Sequence, residues 1–315
     1  MTKPKIGIAL GSGAARGWSH IGVLQALAEE GIEPDIVCGC SMGALVGAAY
    51  VAGELETLEK RARTINWREI ARYVDIDLTN GGLIEGKRIL SFMQTIKEDA
   101  TIESFETPFA AIATDLLTGR EIWLQQGSIV DAVRASMALP GLFSPVKLDG
   151  KWLVDGGLVN PVPVSACRAL GADIIIAVNL NGGLVGKHTH PSLAEKTQDN
   201  PASSSMDILE GLFKNVPSSI SKSLKKIVPD LLVSGSATPG YFDVSASALN
   251  IMQDQITRSR LAGEPPHIMF TPRLRDLGIL EFNRAEEAIA EGRNSVRRSL
   301  PILRELIPWT RNVKT

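Results

Sequence analysis

The chain has 315 residues, of which 44% are hydrophobic and 22% charged. Those fractions exclude wholesale disorder and allow one large domain or two small ones. Lys and Arg number 33 against 35 Asp and Glu, a net charge of −2, so there is no global field to draw in nucleic acid.

Along the chain, Ile6–Leu10 reads as a buried strand and is too short an apolar run for a signal peptide. Ser19–Glu30 reads as a helix, with Ile21, Leu24, Leu27 and Ala28 on one face and Gly31 as its stop. A strand over Asp35–Cys38, a helix over Met42–Ala52 and a charged helix over Leu55–Ile65 follow. The apolar run Ala44 to Ala52 is about half the length that spans a bilayer. Phe109–Thr114 and Glu121–Leu124 bracket a Leu-Thr-Gly turn, and Ile129–Met137 has helical spacing. Pro145–Leu148 and Lys151–Val154 flank Asp149-Gly150, a strong hairpin signal. Pro163–Leu170 reads as a short helix and Asp173–Leu180 as a buried strand. This alternation implies an α/β core over residues 1–180, a largely parallel sheet with helices on both faces.

The pattern changes after Leu180. Gly182–Ser205 has the composition of a mobile loop. Met206–Leu232 is amphipathic and carries Lys214, Lys222, Lys225 and Lys226 between Gly211 and Val228 without an acidic residue. One reading is peripheral contact with an anionic membrane surface. The reading favoured by spacing alone is packing on the core or on another subunit. His267–Phe270 reads as a last strand, and Glu281–Glu291 and Ser295–Leu306 as closing helices. Residues 181–315 are thus expected to pack on the same domain as a helical C-terminal extension, and the oligomeric state is left open.

Cys38, Cys40 and Cys167, the three cysteines, cannot form a disulfide framework and fit a reducing compartment. Cys38-Gly-Cys40 is too tight for zinc, and the four histidines do not cluster near it. The expectation is a cytoplasmic protein without a membrane-spanning segment, touching the inner membrane face peripherally if at all. No metal site is expected.

Three places could carry chemistry. The first strand runs into Gly11-Ser12-Gly13-Ala14-Ala15-Arg16-Gly17 ahead of a helix. Such a turn presents backbone N–H groups to an anion or an oxyanion, and it also fits a dinucleotide loop with Glu33 or Asp35 as the acidic partner. The second strand runs into Gly39-Cys40-Ser41-Met42-Gly43. That is G-x-S-x-G between a strand and a small-residue helix, the context of a nucleophile elbow. A nucleophilic serine needs a base. His20 falls in a first helical turn, His188 and His190 in the loop, and His267 at a strand start, so none has the expected setting. Asp155, followed by Gly156 and Gly157, sits just past a strand. A carboxylate there could accept the Ser41 proton if it were dry and positioned.

In this order the blocks resemble the patatin-like phospholipases, more closely their bacterial RssA-type branch. Further matches are His20-Ile21-Gly22-Val23-Leu24, Gly82-Leu83-Ile84-Glu85-Gly86, Ala113-Thr114-Asp115-Leu116, and Arg134-Ala135-Ser136 with Leu139-Pro140-Gly141. The resemblance spans roughly residues 5–180. It implies a three-layer α/β fold and a serine acyl hydrolase with a Ser-Asp dyad, acting on acyl esters or phospholipids without a cofactor. Ser41 matches the nucleophile, Asp155 the base, and the Gly11–Ala14 turn (Gly11, Ser12, Gly13, Ala14) the oxyanion hole, with Gly13 and Ala14 foremost. Arg16, Gly17, Gly39, Gly43, Asp115, Ser136, Gly156 and Gly157 match supporting positions. The chain departs from the family's glycine run at Ser12 and Ala14. Asp77–Thr101 and Gly182–Ser205 are the lid candidates. A binding or regulatory protein on the same scaffold is the alternative, and a nucleotide-dependent oxidoreductase a further one that leaves Ser41 and Asp155 without a role.

Overall fold

The computed structural model describes residues 3–65, 100–140, 142–182 and 241–308. The amphipathic stretch Met206–Leu232, the Gly82–Gly86 block and nearly all of both lid candidates lie outside the described residues.

Eight strands form one mixed, mostly parallel sheet: β1 (Ile6–Leu10), β2 (Ile36–Cys40), β3 (Phe109–Asp115), β4 (Glu121–Leu124), β5 (Val146–Leu148), β6 (Lys151–Asp155), β7 (Ile174–Val178) and β8 (Ile268–Phe270). The hydrogen-bonded path runs β5-β6-β3-β2-β1-β7-β8, with β4 on β3. Pairings among β3, β2, β1, β7 and β8 are parallel, and those of β4, β5 and β6 are antiparallel. β1, β2, β3 and β7 are buried at every position, which is why they read as continuous apolar runs rather than alternating ones. Asp149 and Gly150, both with positive φ, close the β5–β6 hairpin as their sequence predicts.

The helices are α1 (Ser19–Glu29), α2 (Met42–Val51), α3 (Leu55–Thr64), α4 (Ile129–Ser136), α5 (Val164–Ala169), α6 (Tyr241–Gly263) and α7 (Ala285–Leu306). Two apolar clusters cover the two faces of the sheet. Ile6, Ile8 and Leu10 pack with α1, α2, α4 and α7, whereas Ala9 and Ile36 pack with α5 and with Leu261 of α6. The expected layered α/β fold is therefore present.

The structure departs from the sequence reading at two helices. Glu281–Glu291 and Ser295–Leu306 are not separate helices; Ala285–Leu306 is continuous. Gly292, between the two expected segments, is needed where α7 crosses α1, because a Cβ there would collide with the Ser19 carbonyl. The second is α6, a 23-residue helix that apolar spacing does not announce.

The register around β3 positions the site. β4 and β6 both pair with Ala113 and Thr114, so they lie on opposite edges of β3. β2 and β4 both pair with Ala111 and Ile112, so they too lie on opposite edges. Hence β2 and β6 share one edge and meet end to end: Cys40 pairs with Ile112, and Asp155 with Ala113. The residue after β2 and the last residue of β6 are brought together from 114 residues apart.

Candidate active site

Ser41 occupies that meeting point. It has φ 56 and ψ −122, a left-handed-region backbone that is costly for a non-glycine residue and marks a strained turn. The turn is held from several sides. Ser41 N donates to Ser136 Oγ at 2.9 Å, and Ser136 Oγ in turn donates to the Ile112 carbonyl at 2.6 Å. Ala44 N and Leu45 N donate back to the Ser41 carbonyl. The flanking glycines allow close approach: a Cβ on Gly43 would strike the Leu10 carbonyl, and one on Gly39 the Gly43 carbonyl. Gly17 is similarly required against Met42. Behind Ser41, α2 starts immediately and is buried from Met42 to Ala49, so its positive end is fixed at the serine.

Ser41 Oγ donates a 2.6 Å hydrogen bond to Asp155 Oδ2. Asp155 Oδ1 accepts 2.7 Å from the Gly157 amide, and Asp155 N donates to the Ala138 carbonyl. Thr114 Oγ1 donates to the Asp155 carbonyl at 2.8 Å. Gly156 leaves room for the Ile112 carbonyl. Asp155 is 2% exposed. Burial pushes its carboxyl up to about 6, against the opposing pull of the Ser41 and Gly157 donors. No cation pairs with it among the described residues, so it combines full burial with a pKa inside the working range of a general base.

The Gly-rich turn divides into bonded and unbonded amides. Gly11 N donates to the Val178 carbonyl and Ser12 N to the Pro161 carbonyl. Of the four amides expected from sequence, these two are engaged in holding the turn. Gly13 N and Ala14 N have no such bond among the described residues. Ala14 takes φ 48, so the turn bends sharply at the unbonded amides despite lacking a glycine there. His20 Nε2 donates to the Gly11 carbonyl at 2.7 Å. It is fully buried, and burial lowers its pKa to about 4, so it braces the turn as neutral imidazole. His267 accepts from Ile175 N at the sheet edge, away from Ser41 in register. His188 and His190 lie outside the described residues.

Arg16 is buried, and burial lowers its pKa to about 10. Its Nη2 donates to Asn181 Oδ1 at 3.1 Å and Asn250 Oδ1 at 2.9 Å. Asp115 lies elsewhere, accepting from Leu117 N and Thr118 N at the β3–β4 turn. Although desolvation would raise it, those donors hold its carboxyl below the ordinary range. Asp115 thus shapes a turn, whereas Ser136 touches the elbow itself. Cys38, Cys40 and Cys167 are free and buried, and burial raises the Cys38 and Cys40 thiols well above their usual range. No group of His, Cys, Asp and Glu among the described residues could hold a metal. Nor is any described helix long and apolar enough to cross a membrane.

Sequence reasoning missed Asn181, Asn250 and Gln253, which surround the Gly-rich turn. The signal was polar rather than apolar periodicity: Asn250, Gln253, Asp254 and Thr257 form the inward stripe of α6, while Val244, Ile251 and Met252 face outward.

A layered α/β fold with a serine on a strained strand-to-helix turn, facing a buried carboxylate, has the architecture of a nucleophile elbow. The sequence profile of the family described as patatin-like phospholipase matches residues 8–168. An uncharacterised NTE-family protein of Mycobacterium tuberculosis is 31% identical over 324 aligned positions, covering 93% of this chain and 90% of that protein. Mouse patatin-like phospholipase domain-containing protein 7 is 34% identical over 187 positions, covering 57% of this chain and 14% of that protein. The solved structure of VipD from Legionella pneumophila superposes with a TM-score of 0.40 at 15% identity, over 92% of this chain and 67% of that one. The chain belongs to the patatin-like phospholipase family, a family of lipid hydrolases.

Proposed function

We infer that the protein is a serine acyl hydrolase acting on ester bonds of lipids, with Ser41 as nucleophile and Asp155 as general base. The 2.6 Å bond from Ser41 Oγ to a buried carboxylate, with no cation paired to it among the described residues, carries this reading. Asp155 takes the hydroxyl proton as Oγ forms a bond to the acyl carbon. Charge building on the carbonyl oxygen meets the Gly13 and Ala14 amides, oriented donors of the kind worth about 3–4 kcal/mol in a transition state. The proton then passes from Asp155 to the departing alcohol oxygen as the ester C–O bond breaks. Water, deprotonated by Asp155, attacks the acyl-Ser41 ester; the acyl C–Oγ bond then breaks, Asp155 returns the proton to Ser41 Oγ, and the fatty acid leaves. Buried free thiols fit a cytoplasmic setting, from which bilayer lipid is reached at the inner membrane face by peripheral contact.

The test is release of fatty acid from a phospholipid and a lysophospholipid in mixed micelles, followed from pH 5 to 9. The base must be ionised, and its carboxyl titrates at about 6. Activity is therefore expected to rise through pH 6 to a plateau, and to fall about tenfold per pH unit below it. Absence of fatty-acid release from both lipids, or activity that stays level from pH 7 down to pH 5, contradicts the assignment.

A further inference from the structure

α6 lies about 240 residues from the Gly-rich turn in sequence, yet it supplies that turn with hydrogen-bond partners on both sides of the unbonded amides. Before them, Ser12 Oγ donates to Gln253 Oε1 at 3.2 Å. After them, Arg16 Nη2 donates to Asn250 Oδ1 at 2.9 Å, one helical turn earlier on the same face. Gln253 Oε1 also accepts from Asn181 Nδ2 at 2.9 Å, and Asn181 Oδ1 receives the same Arg16 nitrogen. Ser12, Arg16, Asn181 and Gln253 are all buried.

Gln253 reaches the other half of the site as well. Its amide nitrogen lies so close to Gly157 that a Cβ there would collide with it. Gly157 N is the donor to Asp155 Oδ1. One buried side chain therefore abuts both the turn bearing the Gly13 and Ala14 amides and the turn that orients the base. We propose that Gln253 is a positioning residue that sets the oxyanion turn and the Asp-Gly-Gly turn relative to each other.

The inference rests on the serine-hydrolase reading and adds a role to a residue whose hydrogen bonds go to Ser12 and Asn181 rather than to Ser41 or Asp155. Its physical basis is preorganisation. Ala14 takes φ 48 in this turn, a backbone that a non-glycine residue holds only where its surroundings impose it, so the turn's geometry depends on what grips its flanks. A misplacement of about 1 Å at such donors costs on the order of 100-fold in rate. Substrate affinity does not depend on the oxyanion, so the loss falls on kcat.

The experiment is steady-state kinetics on a soluble short-chain acyl ester with Gln253→Leu, Ser12→Ala and the double variant, with Ser41→Ala alongside. Gln253→Leu is expected to lower kcat about 30- to 100-fold with KM within about twofold of wild type. Ser12→Ala is expected to cost about tenfold alone and nothing further on the Gln253→Leu background, since both remove one interaction. If Gln253→Leu does not fold, Gln253→Glu serves. It keeps an acceptor for Ser12 and Asn181 and sets a second carboxyl oxygen beside Gly157, so kcat is retained within about tenfold while the acid limb moves above pH 6. A folded Gln253→Leu with wild-type kcat, multiplicative single effects, or an unmoved limb in Gln253→Glu overturns the proposal. Those results with an inactive Ser41→Ala leave the hydrolase reading intact, whereas an active Ser41→Ala removes the reading itself.

Discussion

Ser41→Ala is expected to lower kcat for ester hydrolysis by at least about 10⁴-fold while leaving the fold in place. Losses of this size follow when a nucleophile that acts as one unit with its base is removed, and what remains comes from binding and the oxyanion donors. The backbone at residue 41 gives the position a second signature. With φ 56 and ψ −122, it is a conformation that alanine tolerates no better than serine but glycine adopts freely. Ser41→Gly is therefore expected to be equally inactive and more stable than Ser41→Ala by about 1–3 kcal/mol, the size of strain held at such sites. Initial rates with a chromogenic ester and urea denaturation of the three proteins check both. A Ser41→Ala enzyme above 1% of wild-type rate, or a glycine variant no more stable than the alanine one, contradicts the elbow.

Asp155→Asn is expected to abolish turnover and to stabilise the protein, a pairing that an ordinary structural carboxylate would not show. The direction follows from linkage. Burial raises the carboxyl from 3.8 to about 6, so between those values the unfolded chain is ionised and the native chain is not. Wild-type stability therefore falls as pH rises from about 4 to about 6 and stays low above that. At about 1.36 kcal/mol per pH unit, the penalty at pH 8 is about 3 kcal/mol. Asparagine removes it while still offering Oδ1 to the Gly157 amide and an NH₂ toward Ser41. The Tm advantage of Asp155→Asn is expected to be greatest above pH 7 and to vanish near pH 4, read by thermal melts across that range. An asparagine variant less stable than wild type at pH 8 would mean that ionised Asp155 is stabilising, and the dry-carboxylate account would fail.

The sequence exposed the strand ends well because each announces itself locally. Cys40-Ser41-Met42 carries the flanking glycines that the Leu10 and Gly43 carbonyls demand, and Asp149-Gly150 carries the positive φ of its hairpin. The β1, β2 and β7 runs are apolar because both faces of the sheet are covered. The residues alone offer Asp155 as a possible base for Ser41 and the resemblance singles it out, but their meeting depends on β2 and β6 sharing an edge of β3, and register is not written in either strand. α6 escaped because its inward face is polar: Asn250, Gln253 and Thr257 look outward-facing to any argument built on apolar spacing. α7 is one helix that runs through Gly292, its point of contact with Ser19 on α1. The Gly-rich turn pointed to four amides, and only hydrogen bonding separates Gly11 and Ser12, which hold the turn, from Gly13 and Ala14.

The central claim, a serine activated by one buried aspartate, is tested most directly by a fluorescent fluorophosphonate with the adduct located by peptide mass. Wild-type protein is expected to carry a single adduct on Ser41, formed at a rate that declines below about pH 6. Asp155→Asn is expected to carry none over the same time. No adduct on well-folded wild-type protein, or labelling of Ser41 that is equally fast without the Asp155 carboxylate, would contradict the account.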